Sequence, residues 1–106
     1  MNDAEFSQLA EVTFAAIEEA IDANDARLDY EITGSVMTVI CEDTDTQVVV
    51  SRQAPLKQIW VAAKSGGFHC VLEGDDWVCT TTGETLQHLM SRVCSEQSDA
   101  DVLLQW

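Results

Sequence analysis

The chain has 106 residues, is 46% hydrophobic and carries a formal net charge of −14, from 19 acidic and five basic residues. This apolar content and length predict one domain, 1–106, with one modest core, and argue against a disordered acidic tail. Nucleic acid and anionic membrane surfaces are not expected partners, because binding their phosphates requires lysine and arginine.

No apolar run is long enough to span a bilayer, and the N-terminus lacks the basic start of a secretory signal. We therefore expect a cytoplasmic protein. The four cysteines form no CxxC pair, which argues against a zinc ribbon or a redox motif. An even number allows disulfides, but buried free thiols are expected in the cytoplasm. They are Cys41, Cys70, Cys79 and Cys94.

Residues 3–23 are predicted to form a helix, with Asn2 and Glu5 as a capping box and Asn24 near its end. At 100° per residue, one face is apolar. It comprises Phe6, Leu9, Thr13, Ala16, Ile17 and Ala20. The opposite face is acidic and contains no Lys or Arg. It comprises Glu11, Glu18 and Asp22, flanked by Glu19, and Asp25 if the helix extends that far.

From Leu28 the apolar period changes to two, which predicts a half-buried strand with Asp29 and Glu31 facing outward. Five further strands are predicted, at 36–42, 46–51, 57–62, 67–73 and 76–80. Their closely spaced turns favour an antiparallel meander over βαβ units.

A second helix is predicted at 83–97, with Thr81 and Glu84 as its capping box. The apolar tail 102–106 is expected to pack against the helices. This order predicts an α+β fold, a two-layer α-β sandwich in which two terminal helices pack on one face of an antiparallel sheet of five or six strands.

The acidic stripe is the main candidate site. Carboxylates spaced three, four or seven residues apart share a helix face but cannot enclose one ion. Each ion would be bound by one or two carboxylate oxygens and would keep water molecules in its other coordination positions. This arrangement suits Fe²⁺, Fe³⁺, Ca²⁺, Mg²⁺ or Mn²⁺ at modest affinity. An ordinary solvated helix face is the alternative interpretation.

The predicted fourth strand suggests a second surface. If Ile59 and Val61 face the helices, alternation places Gln58 and Trp60 on the open face, where Trp60 would be an interface anchor. A shifted register that buries Trp60 is the alternative, and Trp77 is expected to be structural. No nucleophile elbow or phosphate-binding glycine loop is present, so we expect a protein that is not an enzyme.

Several motifs resemble the frataxin family. They are the run from Ser51 to Trp60 (SRQAPLKQIW), Gly66-Gly67-Phe68-His69 and Gly74-Asp75-Asp76-Trp77. The opening Met1–Phe6 and Gly83-Glu84-Thr85-Leu86 are similar to its bacterial, CyaY-type branch. The resemblance extends to about residue 95. It implies the same α-β sandwich and a role in iron–sulfur cluster assembly.

The resemblance also implies functional residues. Iron would bind weakly to an acidic ridge on the first helix and first strand, comprising Glu11, Glu18, Glu19, Asp22, Asp25, Asp29 and Glu31. The cysteine desulfurase and the scaffold protein are the implied partners, and the open sheet face would be the other interaction surface, through Arg52, Gln58 and Trp60. We expect a monomer in the absence of metal.

Three functions remain open from the sequence. The chain could donate iron, could regulate the desulfurase with metal binding incidental, or could oxidise or store iron, although no ligand set supports the last. The helix-to-strand connection 23–27 is shorter and less acidic than in many bacterial relatives and contains the base Arg27. This departure from the family pattern leaves open the number and strength of the ion sites at that end of the ridge. Two further departures from the family pattern are Ser51, where relatives usually have Asn, and Cys70-Val71, where an aromatic-Asp pair is common.

Overall fold

A computed structural model describes all 106 residues. Two helices flank six strands, which pair antiparallel in chain order. The helices are α1 (Asp3–Asp22) and α2 (Leu86–Ser98), and the strands are β1 (Leu28–Thr33), β2 (Val36–Cys41), β3 (Thr46–Gln53), β4 (Gln58–Ala63), β5 (Gly66–Glu73) and β6 (Asp76–Cys79). The predicted α-β sandwich and meander are confirmed.

Helix α1 begins as predicted. The Glu5 amide donates to Asn2 Oδ1 at 2.8 Å, and the Asn2 amide donates to Glu5 Oε1 at 3.2 Å, completing the capping box. The helix ends at Asp22, one residue earlier than predicted, and the amide of Ala23 donates to Glu19. Asp25 therefore lies in the connection to β1, not on the acidic face of the helix.

The buried stripe of α1 differs from the predicted apolar face. Leu9 is 39% exposed and Ala16 is only half-buried. The buried residues are Phe6, Ala10, Thr13, Phe14, Ile17, Ala20 and Ile21. The prediction placed the centre of the buried face too close to Leu9. Apolar residues flank this face on both sides, and periodicity alone does not tell which of them are buried. Packing favours the two phenylalanines.

One face of the sheet forms the core with the helices. Its inward residues alternate along the strands and are almost fully buried, namely Met37, Val39, Val48, Val50, Ile59 and Val61. No helix covers the other face. A short 3₁₀ turn, Ala54–Leu56, interrupts the chain around Pro55, and Lys57 follows with a left-handed φ of 55° instead of starting β4.

Helix α2 begins later than the predicted residue 83. Its N-cap is Thr85, whose hydroxyl accepts the His88 amide at 3.2 Å. The predicted capping box of Thr81 and Glu84 is therefore wrong. A β-bridge between Val78 and Thr85 holds the chain in an extended conformation immediately before the helix, so Thr85 becomes the cap.

The C-terminal tail packs on α2 as expected, with Val102 and Leu104 buried. All four cysteines are free and buried, which agrees with the sequence prediction. Trp77 is also buried, and its indole donates to the Thr13 hydroxyl at 3.0 Å, confirming a structural role. No helix combines the length and apolar character needed to cross a membrane.

Candidate functional site: an acidic edge and an open sheet face

The seven carboxylates of the acidic ridge lie on α1, on the connection after it and on β1, which is an edge strand of the sheet. All are exposed except Glu18, which is half-buried. Asp29 and Glu31 alternate with Leu28 and Tyr30, as the period of two predicted. The ridge is therefore accessible to solvent along its length.

Tyr30 connects the helical and strand parts of the ridge. Its hydroxyl donates to Asp22 Oδ2 at 3.2 Å. Burial raises the pKa of the Tyr30 phenol, and the nearby charges of Asp22, Glu18 and Asp29 raise it further. The contact with Asp22 places the C-terminal end of α1 against β1.

No base neutralises the ridge. Arg27, the one base among the first 45 residues, pairs with Asp43 in the β2–β3 turn at 3.2 Å, with both side chains largely exposed. The other ion pairs involve Asp3, Glu84 and Glu96, none of which belongs to the ridge. No ridge carboxylate therefore forms an ion pair, and Arg27 is engaged elsewhere.

The ridge does not enclose a metal ion. Nowhere in the chain do three or more His, Cys, Asp or Glu side chains converge on one point. A cation here would contact one or two carboxylates and retain most of its water. Loose, oxygen-only binding of a cation by the ridge stays a prediction.

The open sheet face carries an aromatic pair. Trp60 on β4 stacks on His69 of β5, with ring centroids 4.2 Å apart and ring planes 9° from parallel. The indole Nε1 of Trp60 donates to Gln58 Oε1 at 2.7 Å. Since Ile59 and Val61 are buried, Gln58 and Trp60 lie on the face without helices, as predicted. His69 was not predicted to belong to this surface, although strand alternation from the buried Cys70 places it there.

Arg52 does not lie on this face, which corrects the sequence expectation. It pairs with Ile59 across β3 and β4, so its side chain is directed toward the helices. There its guanidinium lies 4.6 Å from the centroid of the Phe14 ring. The expectation grouped Arg52 with Gln58 and Trp60 by family motif, but strand alternation separates Arg52 from them.

The strand part of the acidic ridge and the aromatic pair share one surface. Asp29 and Glu31 alternate with core-facing residues of β1, so they lie on the same open face as Trp60. Strands β1 and β4 are three spacings apart, which is about 14 Å. The open face thus carries two carboxylates on its edge strand and an aromatic pair near its middle, in a small α-β sandwich with no helix over this surface.

The family follows from comparison with known proteins. Residues 1–100 match the model of the frataxin-like domain. The chain belongs to the frataxin family.

Two curated relatives are full-length matches. The iron–sulfur cluster assembly protein CyaY of Vibrio atlanticus is 42% identical over 102 residues, covering 96% of this chain and 97% of the relative. The CyaY protein of Vibrio campbellii is 44% identical over 98 residues, covering 92% and 93%.

Solved structures support the fold. Frataxin from Psychromonas ingrahamii superimposes with a TM-score of 0.91 at 33% identity, covering all of both chains. A trimeric yeast frataxin, from Saccharomyces cerevisiae in complex with ferrous iron, matches with a TM-score of 0.66 at 25% identity, covering 90% of this chain and 86% of that one.

Proposed function

We propose that this chain is a non-catalytic protein of iron–sulfur cluster assembly that binds iron loosely through its acidic ridge and docks on the cysteine desulfurase and its scaffold. The relatives named as cluster assembly proteins support the pathway. The ferrous complex of yeast frataxin supports iron as the cargo. The observation that carries the proposal is the ridge of seven carboxylates without a base.

The charge of the ridge suits both iron and a basic partner. Hard cations such as Fe²⁺ and Fe³⁺ accept carboxylate oxygens, and other divalent or trivalent cations would compete for the same positions. A basic groove on the desulfurase would be attracted to the same surface. Such steering gives fast association that weakens as salt is added.

The open face provides the second contact. Trp60 stacks on His69 and donates a hydrogen bond to the Gln58 side-chain amide oxygen, so its ring orientation is fixed before any partner binds. Rigid, partly exposed tryptophans are frequent anchors at protein interfaces. We assign Gln58 and Trp60 to contact with the scaffold. The position of Arg52 under Phe14 gives it a supporting role beneath this face.

A regulator that binds the desulfurase without using iron is the second candidate. The lack of any converging ligand set favours it, since a dedicated carrier gains from a defined site. The two candidates share the ridge but differ in whether iron binding matters, which a single set of variants can separate.

The test reverses three ridge charges, with Glu18→Lys, Glu19→Lys and Asp22→Lys in one variant. A matched control reverses Glu73, Asp75 and Asp76, which are exposed around the β5–β6 turn. Each triple reversal changes the net charge by +6, from −14 to −8. Calorimetric titration with Fe²⁺ without oxygen, and with the desulfurase at low and moderate salt, measures both functions.

The ridge variant should lose about tenfold or more in affinity for Fe²⁺ and for the desulfurase, while the control retains both. Loss of desulfurase binding with retained Fe²⁺ binding would establish the regulator instead. If both affinities survive, the ridge is only a solvated face and the proposal fails. Equal losses of affinity in the control variant would show that only the net charge matters. That result would also refute specific binding at the ridge.

A second pair of variants tests the open face. Trp60→Ala should weaken scaffold binding, whereas Trp60→Phe, which retains a ring to stack on His69, should keep most of it. The measurement is calorimetry with the scaffold alone. Unchanged binding by Trp60→Ala would remove this residue from the interface.

A further inference from the structure

Cys70 and Cys79 face each other directly across β5 and β6. The amide of Thr80 donates to the His69 carbonyl at 2.9 Å, whereas the amide of Cys79 donates to Glu84 at 2.8 Å. This pattern identifies a non-hydrogen-bonded cross-strand pair. The Cα atoms of such pairs are about 4.5 Å apart, within the range of about 4.4–6.8 Å that a disulfide spans. The backbone separation of this pair is therefore compatible with a disulfide.

The two thiols differ in their surroundings. The Thr81 hydroxyl lies 3.4 Å from Cys79 Sγ. Burial opposes ionisation of Cys79, but hydrogen bonds from the hydroxyls and backbone amides of Thr81 and Thr82 together lower its pKa to about 7. Burial raises the pKa of Cys70 to about 12, and the charges of Cys79 and Glu84 add to this effect. Cys79 is thus the nucleophilic member of the pair at neutral pH.

The position of Cys79 also favours it. Cys79 is the last residue of β6 and lies directly under the turn 80–83, whose residues are all exposed. Cys79 is 1% exposed and Cys70 is fully buried. Opening of one surface turn would uncover Cys79 for a small reagent, while Cys70 would remain covered by the core.

We propose that Cys79 and Cys70 form a peroxide-reactive dithiol, a modification site that closes as a cross-strand disulfide. The Cys79 thiolate attacks one oxygen of hydrogen peroxide. An S–O bond forms as the O–O bond breaks, and the departing hydroxide takes a proton to become water.

Cys70 then completes the reaction. Its sulfur attacks the Cys79 sulfenic acid, an S–S bond forms as the S–O bond breaks, and the Cys70 proton joins the departing hydroxide as a second water. Two thiols lose two electrons and one peroxide gains them. A dithiol reductant reverses the step by exchange. This proposal is independent of the proposed function.

Peptide mapping distinguishes this pair from the other two cysteines. Trypsin releases residues 65–92 as one peptide that contains both Cys70 and Cys79, since no Lys or Arg lies between Lys64 and Arg92. Cys41 and Cys94, whose thiols also lie side by side, fall in the separate peptides 28–52 and 93–106. A disulfide within the first pair removes two hydrogens from one peptide, whereas the second pair would join two peptides.

The experiment treats the folded, reduced protein with equimolar hydrogen peroxide, blocks the remaining thiols with iodoacetamide and analyses the digest by mass spectrometry. We expect peptide 65–92 to lose two hydrogens, to resist alkylation and to recover after dithiothreitol. If peptide 65–92 remains fully alkylated in the folded protein, or if only peptides 28–52 and 93–106 become joined, the proposal is overturned.

Two variants test the roles. In Cys70→Ala, Cys79 should stop at sulfenic acid and be trapped by dimedone. In Cys79→Ala, oxidation of Cys70 should be about tenfold slower or more. The matched control, Cys41→Ala, should form the disulfide at the wild-type rate. Rapid oxidation of Cys70 in Cys79→Ala would contradict the assignment. Circular dichroism checks that each variant folds. If a variant does not fold, the peptide map of the oxidised wild-type protein decides whether the disulfide forms.

Discussion

Glu84 is bound at both carboxylate oxygens by the guanidinium of Arg92, with two N–O distances of 2.9 Å. His88 adds an exposed partner at 3.3 Å. The sequence placed Glu84 in a capping box because only its neighbours along the chain are visible there. Arg92 lies two helical turns away, and only the position of the strand-to-helix connection directs Glu84 toward it.

This pair makes stability depend on pH. The Arg92 hydrogen bonds hold the pKa of Glu84 below its ordinary value of 4.5. A lowered folded-state pKa stabilises the fold above pH 4.5, and that contribution is lost as pH falls through the folded-state value. We expect Glu84→Gln to lower the free energy of unfolding at pH 7 by about 1–2 kcal/mol, with the difference shrinking toward zero in acid.

Urea denaturation at pH 7 and at steps below pH 4.5 checks this expectation. Glu96→Gln is the control, because Glu96 is exposed and its contact with Arg92 is longer, at 3.4 Å. The control should change stability by no more than about 0.5 kcal/mol. A difference for Glu84→Gln that stays constant with pH would show that its charge does not matter.

At the scale of elements, the C-terminal tail is fixed to α2 by serine side chains. Ser95 Oγ accepts the Val102 amide at 2.8 Å, and Ser91 Oγ accepts the Leu104 amide at 2.9 Å. These hydroxyls satisfy backbone groups of a segment that belongs to no helix or strand. The tail thereby closes the core with Leu104, which is fully buried.

Adjacent leucines in the tail allow a matched test. Leu104→Ala should lower the free energy of unfolding by about 2–5 kcal/mol, because it removes buried methyl groups and leaves a cavity. Leu103→Ala, at a side chain that is 62% exposed, should change it by no more than about 0.5 kcal/mol. Denaturant unfolding measures both, and equal effects would show that the tail is not part of the core.

At the scale of the whole molecule, the net charge of −14 and the unpaired ridge imply repulsion in the folded state. Added salt screens that repulsion, and a divalent cation that binds the folded form stabilises it further. We expect the melting temperature to rise with NaCl and to rise more with Mg²⁺ at the same ionic strength. Thermal unfolding followed by circular dichroism measures the shifts.

The triple reversal of Glu18, Glu19 and Asp22 is the comparison for this effect. It should reduce the response to both salts, because it removes the densest part of the repulsion. A wild-type melting temperature that is insensitive to NaCl and Mg²⁺ would contradict repulsive strain in the ridge.

The sequence by itself determined the order of elements, the sandwich fold, the α1 cap and the acidic stripe, because local periodicity and capping chemistry act between residues close in the chain. Strand alternation from Ile59 and Val61 was also enough to place Trp60 on the open face. The buried stripe of α1 was only partly predicted, since Leu9 and Phe14 are both apolar and only packing decides between them.

Tertiary structure decided the contacts between distant segments. In the folded chain, Arg52 lies over Phe14 and Glu84 binds Arg92. Trp60 stacks on His69, and Cys70 lies opposite Cys79 on the neighbouring strand. Each contact depends on strand register or helix packing, and neither is encoded within a short window of sequence. The acids of α1 and β1 were visible from the start, but the contact between Asp22 and Tyr30, which joins the end of α1 to β1, required the fold.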